Sequence, residues 1–366
     1  MLRRRLLPLV VLLVAIVGTP SPSVSATAVQ AQALPSSLDN AAYWELITSL
    51  SEPDGQFRSD NLVSNEVYFQ TIIPELVTTT SPGRVYLGVG PEQNFTYIAA
   101  LKPRMVFIID VRRGNLHLQL MYKALFELSK DRTDFVSMLF SKPRPQGLTT
   151  RSTARQIFSS LIESETTDAL YAANLAKIKT HLTDTRGLPL SADDLKGIEF
   201  VYYHFYWYGP GLTYSSSTGG GGRGNFVNFQ TLMTADDGAG TARSFLANED
   251  HFLFLKSLHA RNLVVPVVGN FAGARSIRAV GRYLTERHAT VSAFYLSNVE
   301  QYLEQDGLWY TFCGNVARLP LDDRSTFIFS QSPGGGGRRG GGLLSYFRPM
   351  LVDVQENKCD ARVPTG

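Results

Sequence analysis

Gly88, Gly90 and Asp110 are the residues of this 366-residue chain whose types and spacing suit ligand chemistry. The bare backbone of Gly88-Val89-Gly90 permits both a tight turn and a close approach to a bound group. Asp110 follows Gly88 by 22 positions (110 minus 88). That is near the roughly 20 residues separating a glycine turn from an acid that holds ribose hydroxyls. Glu92 and Asn94 share the turn, and with Gly88, Gly90 and Asp110 they form the candidate cofactor contacts. A dinucleotide fingerprint requires a third glycine, yet position 93 is Gln. A plainer reading stands beside this one: the glycines only shape the turn, and Asp110 caps the next segment.

Candidate substrate contacts are Asn65, Arg112, Tyr214 and Asn270. Asn270 sits in Gly269-Asn270-Phe271-Ala272-Gly273, a second strand-to-helix junction whose free N–H groups suit an anion. The same string also reads as a tight turn with Asn270 as helix cap. Arg112 and Arg113 follow Asp110 and suit a carboxylate or phosphate as a fork, or simply face solvent. Asn61, Ser64, Asn65 and Glu66 read either as a helix start or as a segment folding over the cleft. The run from Tyr202 to Tyr208 offers aromatic rings, for stacking or for the core. Hydrolase and phosphotransferase signatures are missing: no Gly-x-Ser-x-Gly, no His-Glu-x-x-His and no P-loop lysine occur. Neither cysteine has a partner at metal spacing, so no metal site is expected.

Positioning these residues requires alternating strands and helices. The stretch from Arg84 through Leu87 reads as a buried strand leading into the glycine turn, and Met105–Ile109 is a continuous apolar run typical of a parallel strand covered on both faces. Leu263–Val268, Val291–Tyr295 and Ser325–Phe329 read as further strands, as do Phe135–Phe140 and the aromatic run Ile198–Tyr208. Helices are expected over Ala41–Leu50, from Ser64 through Leu76, and over Asn94–Leu101, Asn115–Leu128, Ala154–Ser164, Ala169–Leu182 and Arg275–Arg287. Ser191-Ala192-Asp193-Asp194 resembles a capping box, and Asn248-Glu249-Asp250-His251 a helix start. The alternation predicts a doubly wound, mostly parallel α/β sheet. Ligands then sit beyond the carboxyl ends of the strands, where Gly88–Asn94, Asp110–Arg113 and Gly269–Gly273 all fall.

The organisation expected is a signal peptide over 1–31, cleaved near 26–33, and an N-terminal helical segment over 34–80. A Rossmann-like domain over 81–330 follows, with a helical and aromatic insertion at about 141–250. A glycine-rich loop and tail over 331–366 ends the chain. Arg3-Arg4-Arg5, the short apolar run Leu6–Val17 and Val24-Ser25-Ala26 carry the signal-peptide reading. They place the protein outside the cytoplasm, secreted or periplasmic, with an uncleaved membrane anchor as the alternative. No later segment is long and apolar enough to span a bilayer. A formal net charge of +3 is small for this length and gives no footprint for nucleic acid. Cys313 and Cys359 are the only two cysteines, and pairing or idle thiols both remain open.

At the glycine turn and Asp110 the chain resembles class I methyltransferase-like proteins, and more specifically an uncharacterised bacterial family of that fold. The strings carrying the likeness are Leu87–Asn94, Val268–Gly273 and Phe294–Gln301, within a similarity running from about Tyr43 to Ser330. The resemblance implies S-adenosylmethionine as cofactor, with Gly88 and Gly90 bordering its methionine end and Asp110 on its ribose. Tyr86 stands where such enzymes often carry an acid. Two functions are therefore expected: an exported methyltransferase-like protein binding that cofactor or another nucleoside-like ligand, or a catalytically silent envelope or periplasmic binding or interaction protein.

Overall fold

Every residue of Val85–Gly88 and Met105–Asp110 is buried, which is why each segment is an unbroken apolar run rather than an alternation. A computed structural model of the chain describes residues 33–214, 216, 227–331, 343–357 and 359. The expected signal peptide, Gly219–Gly222 and Gly334–Gly342 lie outside the described residues. The strands are β1 (Val85–Gly88), β2 (Met105–Asp110), β3 (Val264–Val268), β4 (Val291–Ser297), β5 (Thr326–Gln331) and β6 (Leu344–Pro349). They form one sheet in the order β3-β2-β1-β4-β5-β6, so the chain is α/β with a six-stranded, mostly parallel sheet. Every neighbouring pair is parallel except β5 and β6. Gly88 lies beside Ile108 on one side and Tyr295 on the other. The order reverses between β1 and β4, and that divide opens the crevice.

The helices, in chain order, are α1 (Asn40–Leu50), α2 (Ile73–Thr79), α3 (Gln93–Leu101), α4 (Arg113–Leu128), α5 (Arg132–Leu139), α6 (Ala154–Ile162) and α7 (Asp168–Thr180). They continue as α8 (Ala192–Tyr208), α9 (Phe229–Thr234), α10 (Glu249–Ala260), α11 (Ser276–Thr285), α12 (Val299–Gln305), α13 (Trp309–Val316) and α14 (Met350–Glu356). Polar caps start several of them, as Asp39 does for α1, Asn248 for α10 and the Ser191–Asp194 capping box for α8. Helix α4 packs against α8, α10 and β3. Its buried Glu127 accepts from Lys123 at 2.7 Å, His181 at 2.5 Å and Arg186 at 2.8 Å. Burial alone would raise the Glu127 carboxyl, but the His181 hydrogen bond and the two cations hold it down at about 2.

Three expected elements differ. Phe135–Phe140 falls in helix α5 and its C-cap, not in a strand, because Phe135, Val136 and Leu139 turn to one buried side at helical spacing. The run Ile198–Tyr208 belongs to α8, where Ile198, Val201, Tyr202 and Phe205 are buried at positions i, i+3, i+4 and i+7. Phe200, Tyr203 and Trp207 stay exposed on its other side. The helix expected from Ser64 begins only at Ile73. Ser64 instead gives its hydroxyl to Gln93 and accepts the Glu66 N–H at 3.2 Å. Beyond residue 330, the stretch read as loop and tail carries β6 and α14 among its described residues.

Candidate functional site

The glycine turn after β1 is filled by the chain itself. A Cβ on Gly88 would lie 1.9 Å from Asn94 Oδ1, so glycine there makes room for the asparagine. Asn94 Nδ2 donates to the carbonyls of Val89 and Pro91, both at 2.8 Å, and its Oδ1 accepts from Tyr86 at 3.0 Å. Glu92 is wholly buried; its Oε1 accepts the Ser64 N–H at 3.1 Å and its Oε2 has no partner. Burial pushes its carboxyl up to about 8, which makes it neutral at pH 7. Gly88, Glu92 and Asn94 thus lie behind the turn, and only Gly90 of that group faces the open cleft.

Asp110 also reaches the cleft, but its carboxylate is engaged. Oδ1 accepts from the Arg112 backbone at 3.0 Å and from its Nε at 2.9 Å, and Oδ2 accepts from Nη2 at 2.7 Å. A carboxylate has about four acceptor positions, and Arg112 takes three. Four of the five guanidinium N–H donors are used in turn, since Nη1 donates to the carbonyls of Ser59 and Asp60. Arg113 points elsewhere, with Nε on Asp194 at 2.7 Å. The expected fork toward a ligand is therefore an internal clamp.

That clamp holds a strap, residues 51–61, across the carboxyl edge of β2 and β3. Glu52 N–H donates to Val268 at 2.7 Å, the Val268 N–H to Ser51 Oγ at 3.0 Å, and the Gly55 N–H to Val111 at 2.9 Å. The Glu52 carboxylate sits where an anion was expected. It accepts the N–H groups of Asn270 at 3.0 Å and of Arg275 and Ser276, each at 2.9 Å. Gly273 is glycine for this reason, since a Cβ there would lie 2.5 and 2.7 Å from the Glu52 oxygens. Asp54 accepts the Arg113 N–H at 2.6 Å in the same way. Helix N-termini attract carboxylates, and the chain supplies its own.

What stays open is a cleft of about 410 Å³ where β1 and β4 part. Gly90, Asp110, Arg112, Asn65, Asn270 and Tyr214 all line it, joined by Phe57, Arg58, Asn61, Ser297, Asn298 and Tyr302. Phe57 and Tyr302 meet edge to face at 5.2 Å, and the Arg58 guanidinium lies 5.0 Å over the Tyr302 ring. Beneath the cleft, buried Glu66 accepts from Tyr295 Oη, Ser297 Oγ and Gln93 Nε2, each at 2.7 Å, and from Ser345 Oγ at 3.1 Å. Asn61 and Ser297 both hold a positive φ, 47° and 52°. Such backbone conformations gather at ligand sites. Among the described residues no group of three or more His, Cys, Asp or Glu is arranged to hold a metal, and no helix is long and apolar enough to cross a membrane.

The residues that the sequence did not single out come from the strap and from the turn after β4. Their signal was weak: Ser51–Gly55 reads as an ordinary turn, and nothing local links it to β3. The chain belongs to the family described as "Domain of unknown function (DUF7790)", whose model matches residues 61–187 and 227–335. That match takes in β1 to β5 and leaves out α8 and Tyr214. No curated protein matches the chain.

Proposed function

We propose that this family member is an exported protein that binds a small polar ligand in the cleft between β1 and β4, on a Rossmann-like scaffold, without transferring a methyl group. The observation that carries the reading is the Arg112 clamp on Asp110. A ribose diol needs two acceptor positions from that acid, and one remains. Glu52 fills the neighbouring turn. The residues present therefore do not fit the nucleoside part of S-adenosylmethionine.

Two further observations support binding over catalysis. The cleft volume lies within the roughly 300–1,000 Å³ range of small-molecule sites, at the reversal of strand order where open α/β sheets take their ligands. Its described lining has no His, Lys or Cys, and its carboxylates are the clamped Asp110 and exposed Asp306. General acid–base work needs a titratable group positioned within reach of the reacting atom, and Asp110, the one buried carboxylate of that lining, is held by Arg112. Export is supported by the pairing of Cys313 with Cys359, because disulfides persist in oxidising compartments.

The test is calorimetric titration with S-adenosylmethionine and S-adenosylhomocysteine beside a thermal-shift panel of amino acids, sugars and nucleosides. No heat from the two cofactor forms is expected. The panel should contain a compound that raises the Tm of the natural protein and not of Asn298→Trp, whose indole fills the cleft. Tight binding of either cofactor form would restore the methyltransferase reading, and an entirely silent panel would remove the cleft as a site.

A further inference from the structure

We infer that the cleft takes a neutral, hydroxyl-rich ligand, a sugar of one or two rings, rather than a phosphorylated, zwitterionic or nucleoside compound. The inference rests on the cleft being a binding site and adds the chemical class of what enters it.

Of the charged side chains lining the cleft, Asp110 and Arg112 pair with each other, while Arg58 and Asp306 are exposed and carry no ion pair among the described residues. Arg112 is bound by Asp110 and two carbonyls, and the side chains of the pair are only 9% and 5% exposed. Arg58 donates to the Tyr302 hydroxyl and rests over its ring. The anion cradle at α11 is closed by Glu52, and that at α4 by Asp54. A phosphate or carboxylate entering here would lose hydration and, in the described lining, meet one cation without a carboxylate partner, the exposed Arg58 turned onto Tyr302.

The open polar groups ask for something else. Tyr295 and Ser297 give their protons to Glu66, so each hydroxyl turns only its lone pairs to a ligand. Asn61 Oδ1 is buried without a partner, and Asp110 keeps one acceptor position. These four acceptors need donors, which a phosphate or carboxylate group itself lacks. The cleft also offers donors of its own. Asn270 uses its Oδ1 on the Ala272 N–H, and among the described residues its Nδ2 and the amides of Asn65 and Asn298 have no partner. A hydroxyl both donates and accepts while carrying no charge. Several hydroxyls around one ring match acceptors and amides spread over several walls. The C–H face of such a ring suits the aromatic edge formed by Phe57 and Tyr302.

The experiment titrates the natural protein with glucose, N-acetylglucosamine and maltose, and in parallel with glucose 6-phosphate, adenosine and S-adenosylmethionine. At least one neutral sugar should bind, with its phosphate at least tenfold weaker. Asn298→Ala and Asn61→Gly, which keeps the positive φ, should each weaken the sugar tenfold or more while the Tm without sugar moves little. If glucose 6-phosphate, adenosine or S-adenosylmethionine binds as tightly as any neutral sugar and is lost in Asn298→Ala, the sugar assignment is overturned while the cleft stands. If none of the six compounds binds, the sugar assignment fails, and the broader panel on Asn298→Trp then decides whether the cleft survives as a site.

Discussion

A carboxyl group walled off from water at the base of the glycine turn gives the chain a measurable dependence on pH. Glu92 has no cation beside it, one oxygen is unpartnered, and burial raises its titration from 4.5 to about 8. The folded chain therefore keeps this proton after the unfolded chain has lost it. The contribution to stability is complete below about pH 4.5, falls as pH rises toward 8, and is flat above. The slope inside that window approaches about 1.4 kcal/mol per pH unit for a single group. Glu92→Gln keeps the acceptor for Ser64 and removes the ionisation. Urea denaturation at pH 5 and pH 8 should show the variant gaining on the natural protein at the higher pH. An equal difference at both would mean that Glu92 does not titrate between them. Sequence reading placed Glu92 in the ligand turn because its neighbours are glycines. Its burial comes from Ser64 and α4, which no local pattern announces.

Elements here are secured at their ends by residues distant in sequence. Helix α11 starts without a side-chain cap of its own, and Glu52 supplies the missing acceptor from the strap. Replacing a capping acceptor with alanine costs about 1–2 kcal/mol, so Glu52→Ala should lose that much. Gly273→Ala should lose a similar amount, because its methyl displaces the Glu52 oxygens. In the double variant the losses should not add, since the same contact is removed once. Additive losses in denaturant melts would show that Gly273 and Glu52 act separately. The strands and most helices were legible from the chain because apolar runs broken by glycine and proline have few other uses. Phe135–Phe140 and Ile198–Tyr208 were not. Their phenylalanine, tyrosine and valine content favours strands, whereas the spacing of their buried residues is helical, and tertiary packing on α4 decides between the two. The strap was illegible for another reason: its partners on β3 and at the turn after it lie more than 200 positions away, and those after β2 more than 50.

For the whole molecule, the last turns of chain are tied back by covalent chemistry. Cys359 follows α14 and joins Cys313 on α13, with Cα atoms 5.2 Å apart and both residues buried. The sequence left the pair undecided, since a separation of 46 positions says nothing about distance in space. The bond closes a loop that contains β5, the glycine-rich stretch and β6, the one antiparallel strand. Ordering an edge strand that follows a glycine-rich segment costs conformational entropy. Closing a loop of this length removes about 4 kcal/mol of that freedom from the unfolded chain. Cys313→Ser should therefore lower the denaturation midpoint well below that of the oxidised protein, and reductant should bring the natural protein to the same value. β6 and α14 should be the first elements to exchange amide hydrogens once the bond is open, because the bond anchors them directly, while β1 to β4 keep their protection. Equal midpoints with and without reductant would mean that the bond does not hold in solution, and the strongest support for an oxidising compartment would go with it. A reporter fused after residue 33 would then have to decide export alone.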